Sequence, residues 1–221
     1  MKTRKFNIAG SCIPGKHYLL PAIERCPDIE PLIEDECYFV IHAARQSGKT
    51  TLLNTLEYEL NKKGEYAALY CSLETIQGIS DPKEGIPAIL RAIVNQLAYH
   101  RYFRDIAEPK LGREDFNTII RKCLTYLCSE IQKPVVILFD EADCLSDQTL
   151  ITFLRQLRDG FINRIRSPFP SSIVLVGMRD IRDYKAKIRD DNKTLGSASP
   201  FNIITKSLTL DNFTQNEITE L

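Results

Sequence analysis

The sequence predicts an α/β protein, a three-layer α/β/α sandwich around a mainly parallel five-stranded sheet. Three observations carry that expectation. Short apolar runs of strand length alternate with longer stretches whose apolar residues recur at helical spacing. The central runs are apolar at every position, as strands covered on both faces must be. The chain has 221 residues, which suits one domain and is cramped for two. Strands separated by helices need crossover connections, and these leave a ligand crevice at the carboxyl ends of the strands.

Tyr38-Phe-Val-Ile-His42 is the first strand, and Leu52, Leu53, Leu56 and Leu60 then mark a helix that Lys62-Lys63-Gly64 ends. Tyr66 to Cys71 reads as the second strand, followed by a polar loop through Gly78, Asp81 and Pro82. Ile86, Ile89, Leu90, Ile93, Val94 and Leu97 fall on one helical stripe, and Phe116, Ile119, Ile120, Cys123, Leu124 and Leu127 repeat it. Val135 to Phe139 is the third strand, and Leu150, Leu154, Leu157, Phe161 and Ile165 mark the helix behind it. After the break Ser167-Pro-Phe-Pro170 come a fourth strand, Ile173 to Val176, and a weaker fifth between Ile203 and Leu210.

Composition narrows the function classes. Hydrophobic residues make up 43% and charged residues 26%, which excludes disordered, collagen-like and disulfide-scaffold chains. Lys plus Arg (29) cancel Asp plus Glu (29), so no global field selects nucleic acid or an anionic membrane, and DNA binding is not indicated by net charge. No apolar run approaches the roughly 18–20 residues that cross a bilayer, and the charged start has no apolar region behind it. The expectation is a cytoplasmic protein. Seven cysteines, odd in number and without C-x-x-C spacing, read as reduced thiols. Charge is nonetheless uneven: residues 151–193 hold ten bases against five acids, and residues 24–37 hold six acids and one base. Head-to-tail homo-oligomers, a protein partner or a DNA backbone could use that polarity, and so could two merely solvated helix faces.

Directly after the first strand, Ala43-Ala44-Arg45-Gln46-Ser47-Gly48-Lys49-Thr50-Thr51 fits G-x-x-x-x-G-K-[ST], with Ala43 in place of the first glycine. Gly48 lets the backbone wrap an anion, amides from Ala44 to Thr51 face the phosphates, Lys49 adds charge between β and γ, and Thr50 offers a hydroxyl to Mg²⁺. A strand before it and an amphipathic helix after it are the setting this motif requires. At the end of the third strand, Asp140 and Glu141 stand where the sheet opens to solvent. An Asp there can hold Mg²⁺ and the next Glu can polarise a water in line with the γ-phosphate. Either Asp140 or Asp143 could instead cap the following helix, a role that suits Asp143 better.

Phosphate turn, acidic strand end and a further strand ending in Gly177-Met178-Arg179 together resemble an AAA-like ATPase of the additional-strand, catalytic-glutamate division of P-loop NTPases, similar to bacterial and archaeal AAA-like and STAND-related proteins. The resemblance implies that the fourth strand inserts between the third and the first and that Arg179 senses the γ-phosphate. Arg179 could otherwise pair with Asp180 or Asp183. It also implies ATP as the nucleotide, with His17 and Tyr18 in the region that holds adenine; the Tyr18 ring could stack on the base, though ordinary packing suits it better. Arg164 or Arg166 could reach a neighbour's nucleotide, and spacing selects neither. The domain reading is a lead-in over 1–36 that contributes to the adenine pocket, an ATPase core over 37–213, and over 214–221 the start of a lid helix, with capping-box spacing at Thr214 and Glu217. The family places its lid beyond this point, so the chain reads as truncated before it, or as ending in a short docked tail.

Asp140-Glu141-Ala142-Asp143 also spells the box of a helicase family. Length, and the absence of Ser-Ala-Thr after the fourth strand, argue against a helicase fragment. The sequence leaves two functions: an ATPase, in which Lys49, Glu141 and Arg179 serve catalysis, and a nucleotide-gated binding switch with little hydrolysis.

Overall fold

A computed structural model describes residues 4–8, 10–20, 23–104, 106, 115–179 and 200–219. The five expected strands form, each within two residues of its expected ends: β1 Tyr38–His42, β2 Ala67–Ser72, β3 Val135–Asp140, β4 Ser172–Gly177 and β5 Ile204–Thr209. All pair in parallel in the order β2-β3-β4-β1-β5. The fourth strand therefore lies between the third and the first, where Tyr38 to His42 run in register with Ile173 to Gly177.

Among the described residues five helices flank the sheet: α1 Ile29–Glu34, α2 Lys49–Lys63, α3 Pro82–Tyr99, α4 Ile119–Glu130 and α5 Asp147–Asn163. A short α6, Gln215–Thr219, follows β5. Strand side chains alternate between two apolar clusters. Tyr38, Val40, Leu69, Ile137, Phe139 and Leu175 pack against α3, α4 and α5 through Ile89, Ile93, Ile120, Leu124, Phe153 and Leu157. Phe39, Ile41, Ala68, Leu138, Val174 and Val176 pack against α1 and α2 through Ile29, Ile33, Leu52, Leu53 and Leu56. Two cores on opposite faces make the three-layer sandwich.

Polar bonds close the places that apolar packing leaves open. β2 is an edge strand whose outer amides would be unpaired. Asn61 of α2 meets them like a strand, accepting from Ala68 N at 3.0 Å and donating to Ala68 O at 2.8 Å, while Glu57 accepts from Tyr70 N at 2.6 Å. Gln156 of α5, 3% exposed, accepts from Ile120 N at 2.9 Å and donates to Phe116 O at 3.0 Å, satisfying the start of α4. The capping box at α6 forms as its spacing predicts: Thr214 N donates to Glu217 Oε2 and Glu217 N to Thr214 Oγ1.

Departures from expectation are local. α1 was not anticipated, because two buried residues in six give no readable period. α5 ends at Asn163, leaving Ile165 95% exposed beyond the stripe it was assigned to, and Phe116 precedes α4 instead of belonging to it. All seven cysteines are free. Burial pushes the thiols of Cys71 and Cys123 up to about 12, so they stay protonated and behave as small apolar groups.

Candidate functional site

The carboxyl end of β1 runs into the phosphate turn. Ala43 is tolerated in place of glycine because its amide continues the ladder, donating to Gly177 O at 3.2 Å, and the left-handed positions fall later, at Gln46 (φ +61°) and Gly48 (φ +93°). Glycine is needed at 48 for that backbone angle alone, since an added Cβ would meet only Arg25 Nη1 at an ordinary 3.5 Å. Gly48 is the N-cap of α2 and has no side chain to cap it, so the first amides of a 15-residue helix face the turn. Ser47 closes the loop by donating to Ala44 O at 2.8 Å. Lys49 is buried and folds over the turn, donating to Ala43 O at 3.1 Å and Ala44 O at 3.0 Å.

β3 brings the acids to the same end of the sheet. Thr50 Oγ1 donates to Asp140 Oδ2 at 2.8 Å, so the phosphate turn and the acidic strand end meet although 90 residues separate them. Asp140 is 1% exposed and two further donors hold it: Tyr70 O–H reaches Oδ2 at 3.0 Å and Glu141 N reaches Oδ1 at 3.0 Å. Glu141 is left-handed at φ +53°, a conformation non-glycine residues rarely adopt. Burial raises its pKa, the Asp140 carboxylate adds to this, and the Lys49 ammonium opposes it. Thr50 and Asp140 offer two hard oxygens. Among the described residues no group of three or more His, Cys, Asp or Glu gathers as a metal cage. Two protein oxygens completed by phosphate oxygens and water suit Mg²⁺, which keeps much of its hydration.

On the other flank a pocket lies against Gly48 and Thr51, lined by Cys12, Tyr18, Leu19, Leu20, Arg25 and Phe213. Tyr18 lines it, tilted against Phe6 with ring centroids 4.9 Å apart. His17 does not line it. His17 is buried and its Nδ1 accepts from Ile13 N at 3.1 Å, which folds the lead-in locally. Thr51 Oγ1 accepts from Cys12 N at 3.1 Å, fastening that lead-in to α2.

Arg179 is exposed, two residues beyond β4, and Arg45 Nε donates to the neighbouring Met178 Sδ at 3.4 Å. Asp180 and Asp183, its alternative partners, lie outside the described residues, as does the basic stretch from residue 180 onward. Neither Asp140 nor Asp143 caps α5, whose N-cap is Ser146, because a 3-10 turn over Ala142–Cys144 intervenes. Arg164 lies at the amino end of β1, donating to Glu36 O at 3.1 Å and pairing with its carboxylate at 3.7 Å.

Two contributors escaped sequence reasoning. Tyr70 reaches Asp140 only because β2 and β3 pair in parallel, a register no local pattern reveals. Arg25 did carry a signal, as the single base among the acids of residues 24–37. Its side chain, 8% exposed, donates to Ser47 O at 2.8 Å and Asp211 O at 2.5 Å, pairs with Glu217 at 3.4 Å and stacks on Phe213 at 4.0 Å. It joins lead-in, phosphate turn and the start of α6.

Residues 34–184, more than half of the chain, match the sequence profile of a family described as AAA domain. Among curated proteins, no match is found. Solved structures share the fold at low identity. Cdc6p from Pyrobaculum aerophilum is 16% identical with a TM-score of 0.61, covering 96% of this chain and 50% of its own. A Walker-type ATPase of Pyrococcus abyssi is 15% identical with a TM-score of 0.61, covering 97% and 59%. The ORC1 protein of Aeropyrum pernix in complex with DNA is 15% identical with a TM-score of 0.54, covering 94% and 50%. The chain thus spans only 50% to 59% of the length of these three structures.

Proposed function

The chain belongs to the AAA-domain family, and from that premise we propose that it is a Mg²⁺-dependent module that binds ATP, hydrolyses it to ADP and phosphate, and couples its nucleotide state to a partner. The observation that carries this reading is the 2.8 Å bond between Thr50 and Asp140, which brings anion cradle and acids within reach of one nucleotide and its metal.

The side chains divide the work. Amides from Ala44 to Thr51 and the Lys49 ammonium bind the β and γ phosphates, for which Lys49 exchanges the carbonyls of Ala43 and Ala44. Thr50 and Asp140 hold Mg²⁺, which when bound neutralises charge on the phosphate oxygens. Glu141 orients and deprotonates water, and Arg179 senses the γ-phosphate. Adenine occupies the pocket beside Gly48, against Tyr18 and Phe213. In domain terms, residues 1–36 complete that pocket, residues 37–213 form the core, and residues 214–221 lead toward a lid.

Single-turnover hydrolysis tests the proposal, measured on wild type and Glu141→Gln, with and without DNA, alongside titration with fluorescent ATP and GTP plus and minus Mg²⁺. The ATPase reading expects turnover in wild type and none in Glu141→Gln, with ATP bound by both. Equal, negligible turnover in both with tight ATP binding refutes the enzyme and leaves a nucleotide-gated switch. Acceleration by DNA identifies DNA as the partner, and its absence directs the search to a protein or a second copy.

A further inference from the structure

We infer that Asp143, the last carboxylate of the acidic box, is a positioning residue that locks the turn after β4 and acts on hydrolysis through Arg179. The inference rests on the reading of Arg179 as γ-phosphate sensor. Asp143 is not a helix cap; its Oδ2 accepts from Met178 N at 3.0 Å. β3 and β4 pair only as far as Phe139 and Leu175, so the Met178 amide lies beyond the last rung of that ladder and Asp143 supplies an acceptor there.

The fit is tight enough to dictate the neighbouring residue. A Cβ added to Gly177 would lie 2.4 Å from Asp143 Oδ1 and 2.7 Å from its Cγ. Gly177 is not among the residues with positive φ, so space and not backbone conformation excludes a side chain. Gly177 and Met178 are held from the opposite side as well, where Gly177 O accepts from Ala43 N and Arg45 Nε donates to Met178 Sδ. The turn carrying Arg179 is thereby clamped between the acid loop and the phosphate turn. Because Asp143 follows Glu141 by two residues, one loop carries both the group that activates water and the group that seats the sensor.

The chemistry requires no new reacting group. With Asp143 the sensor turn has one position, and without it the Met178 amide is freed and Arg179 can approach the γ-phosphate from several. A misplacement on the order of 1 Å can cost about a hundredfold in rate. The ATP contacts of the phosphate turn are untouched.

The test is kinetic. Asp143→Ala should lower kcat about tenfold or more while ATP affinity stays within about twofold. Asp143→Asn keeps an acceptor for Met178 N and should restore most of the rate. Gly177→Ala, which displaces the carboxylate without removing it, should reproduce the defect. Combined with Arg179→Ala, neither Asp143→Ala nor Gly177→Ala should cost anything further, since both act through the same arginine. Unchanged kcat in Asp143→Ala overturns the inference, as does a loss that multiplies with that of Arg179→Ala. If Asp143→Ala does not fold, Gly177→Ala with and without Arg179→Ala decides the same question. Full activity of Arg179→Ala alone refutes the sensor reading, and this inference with it, while leaving phosphate and Mg²⁺ binding standing.

Discussion

Replacing Asp140 with Asn separates the metal role of this carboxylate from its structural one. Three donors converge on it, at 2.8, 3.0 and 3.0 Å. A hydrogen bond to a charged group contributes about 1.5–3 kcal/mol and a neutral one about 0.5–1.5, so removing the charge weakens each by roughly 1 kcal/mol. Against this, Asp140 is 1% exposed, and holding a carboxylate there costs several kcal/mol of lost hydration, which the amide largely avoids. The hydroxyls of Thr50 and Tyr70 can also turn and accept from the new NH₂ group. The opposing effects nearly cancel, so the nucleotide-free protein should keep its stability to within about 2 kcal/mol. For a chain of this size that is a shift in Tm of no more than roughly 4–8 °C.

Ligand linkage should change far more clearly. Mg²⁺ and ATP at about a hundred times Kd stabilise wild type by about 2.7 kcal/mol, raising Tm by roughly 5–11 °C. In Asp140→Asn, the rise in Tm that ATP brings in EDTA should match the same rise in wild type, and the extra rise on adding Mg²⁺ should vanish. A Mg²⁺-dependent rise equal to that of wild type would show that Asp140 does not serve the metal, and the site would need another ligand for it.

Three further outcomes are expected. Lys49→Ala removes the buried ammonium that now bonds Ala43 O and Ala44 O, and fluorescent ATP titration should show affinity falling more than tenfold, whether the protein is an ATPase or a switch; retained affinity would remove Lys49 from the phosphate site. The raised pKa of Glu141 means that protonation is easier in the folded chain than in the unfolded one. Its contribution to stability is therefore present in full below the unfolded pKa and lost as pH rises through the folded value. Near neutral pH Glu141→Gln should be more stable than wild type in urea denaturation, the gain shrinking towards pH 4. The acid limb of kcat/KM in wild type, which reports groups of the free protein, should lie above the ordinary carboxylate value of about 4.3, and a limb at that value would deny Glu141 the role of base. Gln156→Ala strips the bonds to Ile120 N and Phe116 O, costing about 2–3 kcal/mol in denaturant melts with ATP affinity unchanged. A change in affinity would mean that α4 and α5 communicate with the site.

Legibility in the sequence followed the range of the forces involved. β1 ends where expected because an apolar run stops at a phosphate motif, and Gly64 ends α2 as its position predicts. The capping box at Thr214 and Glu217 was readable because its two bonds join residues three apart. α1 was missed for want of a period, and Ile165 was misplaced because periodicity alone cannot tell where a helix frays. His17 does not line the pocket beside Gly48, since its ring is used by the lead-in's own turn.

The sequence by itself determined the alternation of strand and helix, the phosphate turn and the acids at a strand end, because each is a pattern of neighbours along the chain. Only the tertiary structure decided that Tyr70 joins Thr50 on Asp140, that Arg25 reaches both Ser47 and Glu217, and that Asp143 fills the space Gly177 leaves open. Those contacts cross 22 to 192 positions of chain. They depend on strand order and register, which are settled by packing two apolar faces at once and are not encoded in any single stretch of residues.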